Sequence, residues 1–168
     1  MHIRHLRQTE KPNLSALTQI LIECVEGGAS IGFLAPLSAS NAESYWQGVF
    51  ASLHEDLLLW VAEDAGEIVG TVQLSLCPKA NGKHRAEVQK LMVKPNHRGK
   101  GIASKLMAEV ENFAIKQGRT LLVLDTEAGS SAERVYQRLG WIRAGEIPNY
   151  AATPHGILHP TAYYYKIL

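Results

Sequence analysis

The sequence predicts an α+β domain: a central, mixed and mainly antiparallel sheet of about six to seven strands, flanked by four helices. Three observations support this. Four stretches carry an apolar stripe at helical spacing. Three β-prone runs between residues 57 and 93 are separated only by turn-type residues, which is the pattern of a meander. Two more strand-like runs close the chain. At 168 residues the chain fits one domain over 1–168, large enough to bury a core without disulfides or metal.

The elements follow in order. His2 to Arg7 reads as an edge strand. Leu14, Leu17, Leu21, Cys24 and Val25 share one helical face, and Gly27-Gly28 stops that helix. Residues 29–37 read as a loop. Residues 39–53 form a second helix, with Ser40 or Asn41 near its cap and Tyr45, Val49 and Leu53 on one face. Leu57 to Ala62 is an apolar strand, Asp64-Ala65-Gly66-Glu67 a hairpin turn, and Ile68 to Leu76 the returning strand with Gly70 inside it. After a Pro-, Asn- and Gly-containing turn, Ala86 to Val93 completes the meander.

Ile102, Leu106, Val110, Phe113 and Ala114 line one face of a long helix closed by Gly118. Leu121 to Leu124 is a buried-type strand. Ser130-x-x-Glu133 has the spacing of a capping box and opens a short helix carrying Ala132, Val135, Tyr136 and Leu139. Trp141 to Ile147 and Ala162 to Ile167 form the last strand pair, with a loop from Pro148 to Pro160 between them.

Composition narrows the function. A net charge of +1 gives no field that would gather nucleic acid or membrane. Two cysteines make no disulfide scaffold and fit a reducing compartment. With no leader and no apolar run near membrane-spanning length, the expectation is a cytoplasmic protein. His155 and His159 lack a Cys or Glu partner at ligand spacing, so no metal is expected.

Chemistry concentrates between Val88 and Ala103. A β-prone run ends at Pro95, and a loop follows that holds Arg98, Gly99, Lys100 and Gly101 before the long helix begins at Ile102. A glycine loop feeding a helix N-terminus presents backbone N–H groups to an anion. The spacing is neither that of a dinucleotide-binding glycine loop nor that of a nucleotide P-loop. It matches Arg/Gln-x-x-Gly-x-Gly/Ala through Arg98, Gly101 and Ala103.

That motif and the element order resemble the Gcn5-related N-acetyltransferases (the GNAT family) over essentially the whole chain. The resemblance implies a GNAT fold with a splay between the fourth and fifth strands and acetyl-CoA as co-substrate. The pantetheine arm would lie between the splayed strands like an added strand. Leu91 and Val93 would bond it through the main chain, with Met92 beside the thioester. Arg98, Gly99, Lys100, Gly101, Ile102 and Ala103 would bind the pyrophosphate. Family members often carry Asn where this chain has Gly129, so Ser130, Ser131 or a main-chain group is expected to take over that contact. Members are often homodimers. Peptides such as Gln73-Leu-Ser-Leu-Cys77 and Leu124-Asp-Thr-Glu-Ala-Gly-Ser130 resemble toxin-resistance members, which implies a small, amino-acid-like amine as acceptor.

Acetyl transfer to an amine needs a base for the ammonium, a donor for the oxyanion and an acid for the leaving thiolate. Tyr136, in Ala132-x-x-x-Tyr-x-x-x-Gly140-Trp141, matches the family's tyrosine acid. Asp125, ending its strand beside the splay, is the candidate base or ammonium anchor, with Glu87 a rival. Glu127, Phe33 and Tyr150 are candidate acceptor-binding residues, with His155, His159, Thr153 and Trp46 as further lining. Two alternatives stand beside a small-molecule N-acetyltransferase: an acetyltransferase of peptide N-termini, and a non-catalytic acyl-CoA-binding domain.

Overall fold

The structure is a computed structural model that describes residues 1–8, 10, 14–54 and 56–168. In chain order the elements are β1 (His2–Leu6), α1 (Leu14–Glu26), α2 (Ala39–Ala51), β2 (Leu57–Asp64), β3 (Glu67–Leu76) and β4 (Arg85–Val93). They continue as α3 (Ile102–Lys116), β5 (Leu121–Glu127), α4 (Ser131–Arg138), β6 (Ile142–Ala152) and β7 (Leu158–Ile167). Among the described residues the seven strands form one sheet of order β1-β2-β3-β4-β5-β7-β6. Every neighbouring pair is antiparallel except β4 and β5, which run parallel.

The sheet separates two cores. On one face α1 and α2 bring Leu17, Leu21 and Trp46 against Leu59, Val61 and Met92. On the other, Ile102, Leu106 and Val110 of α3 and Tyr136 of α4 pack on Trp60, Val72, Leu74, Leu122 and Leu124. Strand β2 is buried on both faces, so Leu58, Trp60 and Ala62 enter one core while Leu59 and Val61 enter the other. This explains why its sequence reads as a continuous apolar run rather than an alternating one.

Local chemistry sets the ends of the elements. Helix α1 stops where Gly28 takes φ +86°, with Ala29 N–H donating to the Cys24 carbonyl. The β2–β3 turn places Ala65 and Gly66 at φ +50° and +82°, the left-handed pair that a two-residue hairpin requires. Gly70 of β3 has a packing role. A Cβ there would meet Ile102 Cγ2, Leu106 Cδ1 and the Met92 carbonyl oxygen, each at 3.1 Å. The missing side chain lets the first turns of α3 lie directly on the sheet beside β4.

Four sequence expectations are corrected. Ser38, rather than Ser40 or Asn41, caps α2, accepting from Asn41 N–H at 3.2 Å. Strand β5 continues past Leu124 to Glu127, because Asp125, Thr126 and Glu127 pair with Tyr163, Ala162 and Thr161 of β7. The stretch from Pro148 to Pro160 is mostly strand, with a turn only around residues 153–157. Both prolines are tolerated because β6 bulges there: Ile147 faces Thr161 and Ala151 faces His159, so β6 carries two extra residues across the interval holding Pro148 and Pro160. The capping box is also shifted. Glu133 accepts from Gly129 N–H at 2.6 Å, and Ser130 makes no side-chain cap bond.

Replacing Gly70 with Ala should lower stability by about 1–3 kcal/mol, read from urea unfolding, because three close neighbours must move. An unchanged midpoint would show that α3 does not need the close approach.

Candidate active site

Strands β4 and β5 are joined by only three residue pairs: Arg85 with Leu121, Ala86 with Leu122 and Glu87 with Val123. Beyond Glu87 and Val123 they separate, and a cleft of about 1220 Å³ opens between them. Its walls include Leu91, Met92 and Val93 of β4, Asp125 and Glu127 of β5, Ser130, and Tyr136 of α4. Met92 is 2% exposed and its side chain belongs to the α1/α2 core, so it offers the cleft its main chain. The Val93 carbonyl already accepts from Arg98 Nε at 3.3 Å.

At one end of the cleft the chain makes a single 3-10 turn at Pro95–His97 and then passes through Gly99 and Gly101 at φ +77° and +75°. Gly101 is the N-cap residue of α3. A Cβ at either glycine would meet nothing within 4 Å, so the space over the loop is open for an anion to approach the first amides of α3. This cradle and the unpaired strand edges fit a diphosphate on a thin extended arm. Gly99, Gly101, Ile102 and Ala103 line the cleft. Lys100 is exposed and lies outside the cleft walls. Arg98 also lines the cleft; its Nε donates to the Val93 carbonyl and its guanidinium reaches toward Cys24 Sγ at 3.9 Å.

Tyr136 and Asp125 both line the cleft and approach it from opposite faces of the sheet. Tyr136 is 7% exposed, belongs to the α3/α4 core and stacks obliquely against Trp141 and Tyr164, each 6.0 Å away. Burial, reinforced by the charge of Asp125, pushes the phenol well above its ordinary value, so it stays protonated. Leu122 and Leu124 face that same core, so Asp125 between them and Thr126 projects on the opposite, α1/α2 side of the sheet. Asp125 is exposed rather than enclosed at a strand end, and its Oδ2 accepts from Thr161 Oγ1 at 3.0 Å. Glu87, the last β4 residue paired to β5, is on the same side.

The remaining sequence-predicted residues divide. Glu127 lines the cleft and pairs with His159 Nδ1 at 3.1 Å. Tyr150 stands at the cleft wall, where its Oη accepts from Tyr163 at 3.0 Å; that bond, with some burial, pushes the Tyr163 phenol up to about 12. Ser130 lines the cleft beside Thr126. Phe33 does not join them. It lines a separate shallow depression, edge-on to Tyr45 at 5.2 Å. Trp46 is fully buried and donates from Nε1 to the Leu17 carbonyl at 2.8 Å, which makes it a core residue. Thr153 and His155 sit in the β6–β7 turn, outside the cleft walls. Among the described residues no group of three or more His, Cys, Asp or Glu comes together to hold a metal, and no helix is long and apolar enough to cross a membrane.

Sequence reasoning missed Lys90. It occupies a bulge: Thr71 faces Met92 and Gln73 faces Gln89, so β4 carries one residue more than β3 across that interval. Lys90 takes φ +51° there, and its Nζ donates to the Ile31 carbonyl at 2.8 Å. No periodicity in the sequence marks such an insertion.

Residues 16–141 match the Acetyltransferase (GNAT) family. The chain belongs to that family. It is 39% identical over 132 residues to N-acetyltransferase 8 of Rattus norvegicus, covering 69% of this chain and 60% of that one. It is 26% identical over 164 residues to N-acetylaspartate synthetase of Danio rerio, covering 86% of this chain and 57% of that one. The chain thus spans less than two thirds of the length of these relatives. The fold matches a ribosomal-protein-alanine N-acetyltransferase from Brucella melitensis with a TM-score of 0.79 and 25% identity over the whole of both chains. It also matches a Salmonella typhimurium protein solved with its cofactor acetyl-CoA, with a TM-score of 0.78 and 20% identity over 100% of this chain and 94% of that one. In this GNAT chain the expected sheet of about six to seven strands is present with seven, together with the four helices and the parting of the fourth and fifth strands.

Replacing Gly101 with Val should weaken acetyl-CoA binding by about tenfold or more, measured by calorimetry, since a β-branched residue at φ +75° strains the cradle. Unchanged affinity would remove the cradle from the binding site. Because Tyr136 is held protonated above its ordinary range, kcat should show no fall assignable to it up to about pH 10. A descending limb near neutrality that Tyr136→Phe abolishes would contradict its place as acid.

Proposed function

We propose that the chain transfers the acetyl group of acetyl-CoA to the primary amine of a small, amino-acid-like molecule by direct attack. The amine, freed of its proton by Asp125 or through a water that Asp125 holds, attacks the thioester carbonyl from the α1/α2 side of the splay. The C–S bond breaks as the C–N bond forms, the leaving thiolate takes the Tyr136 proton from the α3/α4 side, the acylated nitrogen releases its extra proton to water, and water returns a proton to the phenolate. Lying on opposite faces, the two groups need not exchange a proton directly during the transfer. Cys24, beneath the cradle, is buried, and desolvation pushes its thiol up, which speaks against an acyl-cysteine route.

One observation supports a small acceptor above all. The α1–α2 loop beside the cleft is tied across to the β6–β7 turn. Ala35 N–H of the α1–α2 loop donates to the Pro154 carbonyl of the β6–β7 turn at 2.8 Å, and Lys90 ties the same loop to β4 through Ile31. Loops tied in this way beside the cleft favour a compact acceptor over an extended peptide. The zebrafish relative's name, N-acetylaspartate synthetase, fits an amino-acid acceptor. The sequence resemblance to the tabtoxin-resistance acetyltransferase supports a detoxifying role within that class, in the cytoplasm. The Brucella neighbour, named for ribosomal-protein alanine, makes peptide N-termini the competing class.

Acetyl-CoA-dependent thiol release should be measured over amino acids, β-lactam amino acids, aminoglycosides, polyamines and short peptides. Turnover is expected on the amino-acid classes. Tyr136→Phe and Asp125→Asn should each lower kcat by about 10²–10⁴-fold while acetyl-CoA still binds. Turnover on peptides alone would transfer the assignment to N-terminal acetylation. Acetyl-CoA binding with no turnover would favour a binding-only domain.

A further inference from the structure

The bulge in β4 changes which way its side chains face. Val88 and Leu91, three residues apart, both pack toward the α3/α4 core, and Met92 toward the α1/α2 core. A regular strand would send residue 90 to the same side as Val88. With one residue inserted, Lys90 joins Glu87 on the α1/α2 side, the side on which Asp125 also projects. The bond from its Nζ to the Ile31 carbonyl confirms that direction. Gly32 next to it takes φ +95°, and a Cβ there would stand 3.4 Å from Nζ. Lys90, Glu87, Asp125 and Glu127 all line the cleft.

A lysine carries three donors, and this one spends one on Ile31. Burial pushes its ammonium down, opposed by the charges of Asp125 and Glu87. A half-buried cation at a strained backbone position, held by a neutral carbonyl, has capacity for an anion. The carboxylates around it have capacity for a cation. Opposite charges arranged this way, over the point where the thioester would lie, complement a zwitterion.

We propose that Lys90 is a specificity-determining residue whose ammonium binds the carboxylate of an α-amino-acid acceptor, while Asp125 and Glu87 receive its amino group. This rests on the acetyl-transfer reading above and narrows its acceptor class to amines that carry a carboxylate. Lys90 takes no part in bond making. It fixes the amine over the splay and excludes amines that lack the anion.

The test uses matched pairs of an amino acid and the amine left when its carboxylate is removed, such as lysine with cadaverine and phenylalanine with phenethylamine. Binding is measured by calorimetry on the CoA-saturated protein, and kcat and KM with acetyl-CoA. The wild type should favour the amino acid of a pair by about 10- to 100-fold, the scale of one charge-assisted bond. Lys90→Gln keeps a donor for Ile31 and loses the charge. It should erase that preference by raising KM for the amino acid, leave kcat and the amine member little changed, and be rescued in part by Lys90→Arg. A wild type without preference, or a Lys90→Gln variant that keeps it or weakens both members equally, overturns the proposal. A Lys90-dependent binding preference without turnover would uphold it and instead refute acetyl transfer.

Discussion

Two parallel strands that start as neighbours and then part are the constraint on which the site depends. Three residue pairs hold β4 to β5, and past Glu87 and Val123 their facing main-chain groups have no partner strand. A sheet ordinarily closes such a gap, because unpaired backbone donors and acceptors in a protein interior are costly. Here the gap persists because each strand is secured on its other side, β4 by β3 and β5 by β7. The antiparallel halves act as two rigid plates joined at one end. An extended ligand with amide groups of its own can occupy the slot between them, and the α3 cradle stands where the slot opens.

Glycine governs how accurately cradle and slot meet. Gly70 allows α3 to lie against β3 and the Met92 carbonyl, so the start of the helix is fixed beside the end of β4. Gly99 and Gly101 then permit the left-handed turns that lead the chain into that helix. Arg98 ties the loop to the Val93 carbonyl. The splay also sorts the charges: the buried phenol of Tyr136 lies on one face, and Asp125, Glu87 and Lys90 lie on the other. Both groups nevertheless line one cleft, close enough for the Asp125 charge to act on the phenol.

Much of this was legible in the sequence. The meander followed from apolar runs punctuated by turn residues, α3 from its apolar face and Gly118, and the cradle from two glycines ahead of a helix. The family resemblance in Ala132-x-x-x-Tyr-x-x-x-Gly140-Trp141 points to Tyr136, which lines the cleft. What escaped was set by contacts distant in sequence. The added length of β5 comes from pairing with β7, and Pro148 and Pro160 sit inside strands because a bulge accommodates them. Arg98 lines the cleft as the motif implies, and its bond from Nε to the nearby Val93 carbonyl is a contact the sequence does not mark. Phe33 was placed near the acceptor by its loop, while edge contact with Tyr45 turns it into a neighbouring depression. Lys90 was invisible because a bulge breaks the two-residue period on which strand reading relies.

The most direct test of this account is amide hydrogen exchange with and without CoA. If the arm lies in the splay and its diphosphate on the cradle, protection should rise at residues 91–93 and 99–104, with the outer strands β1 and β6 unaffected. Protection that leaves 91–93 unchanged, or that gathers in the depression around Phe33 and Tyr45, would contradict it.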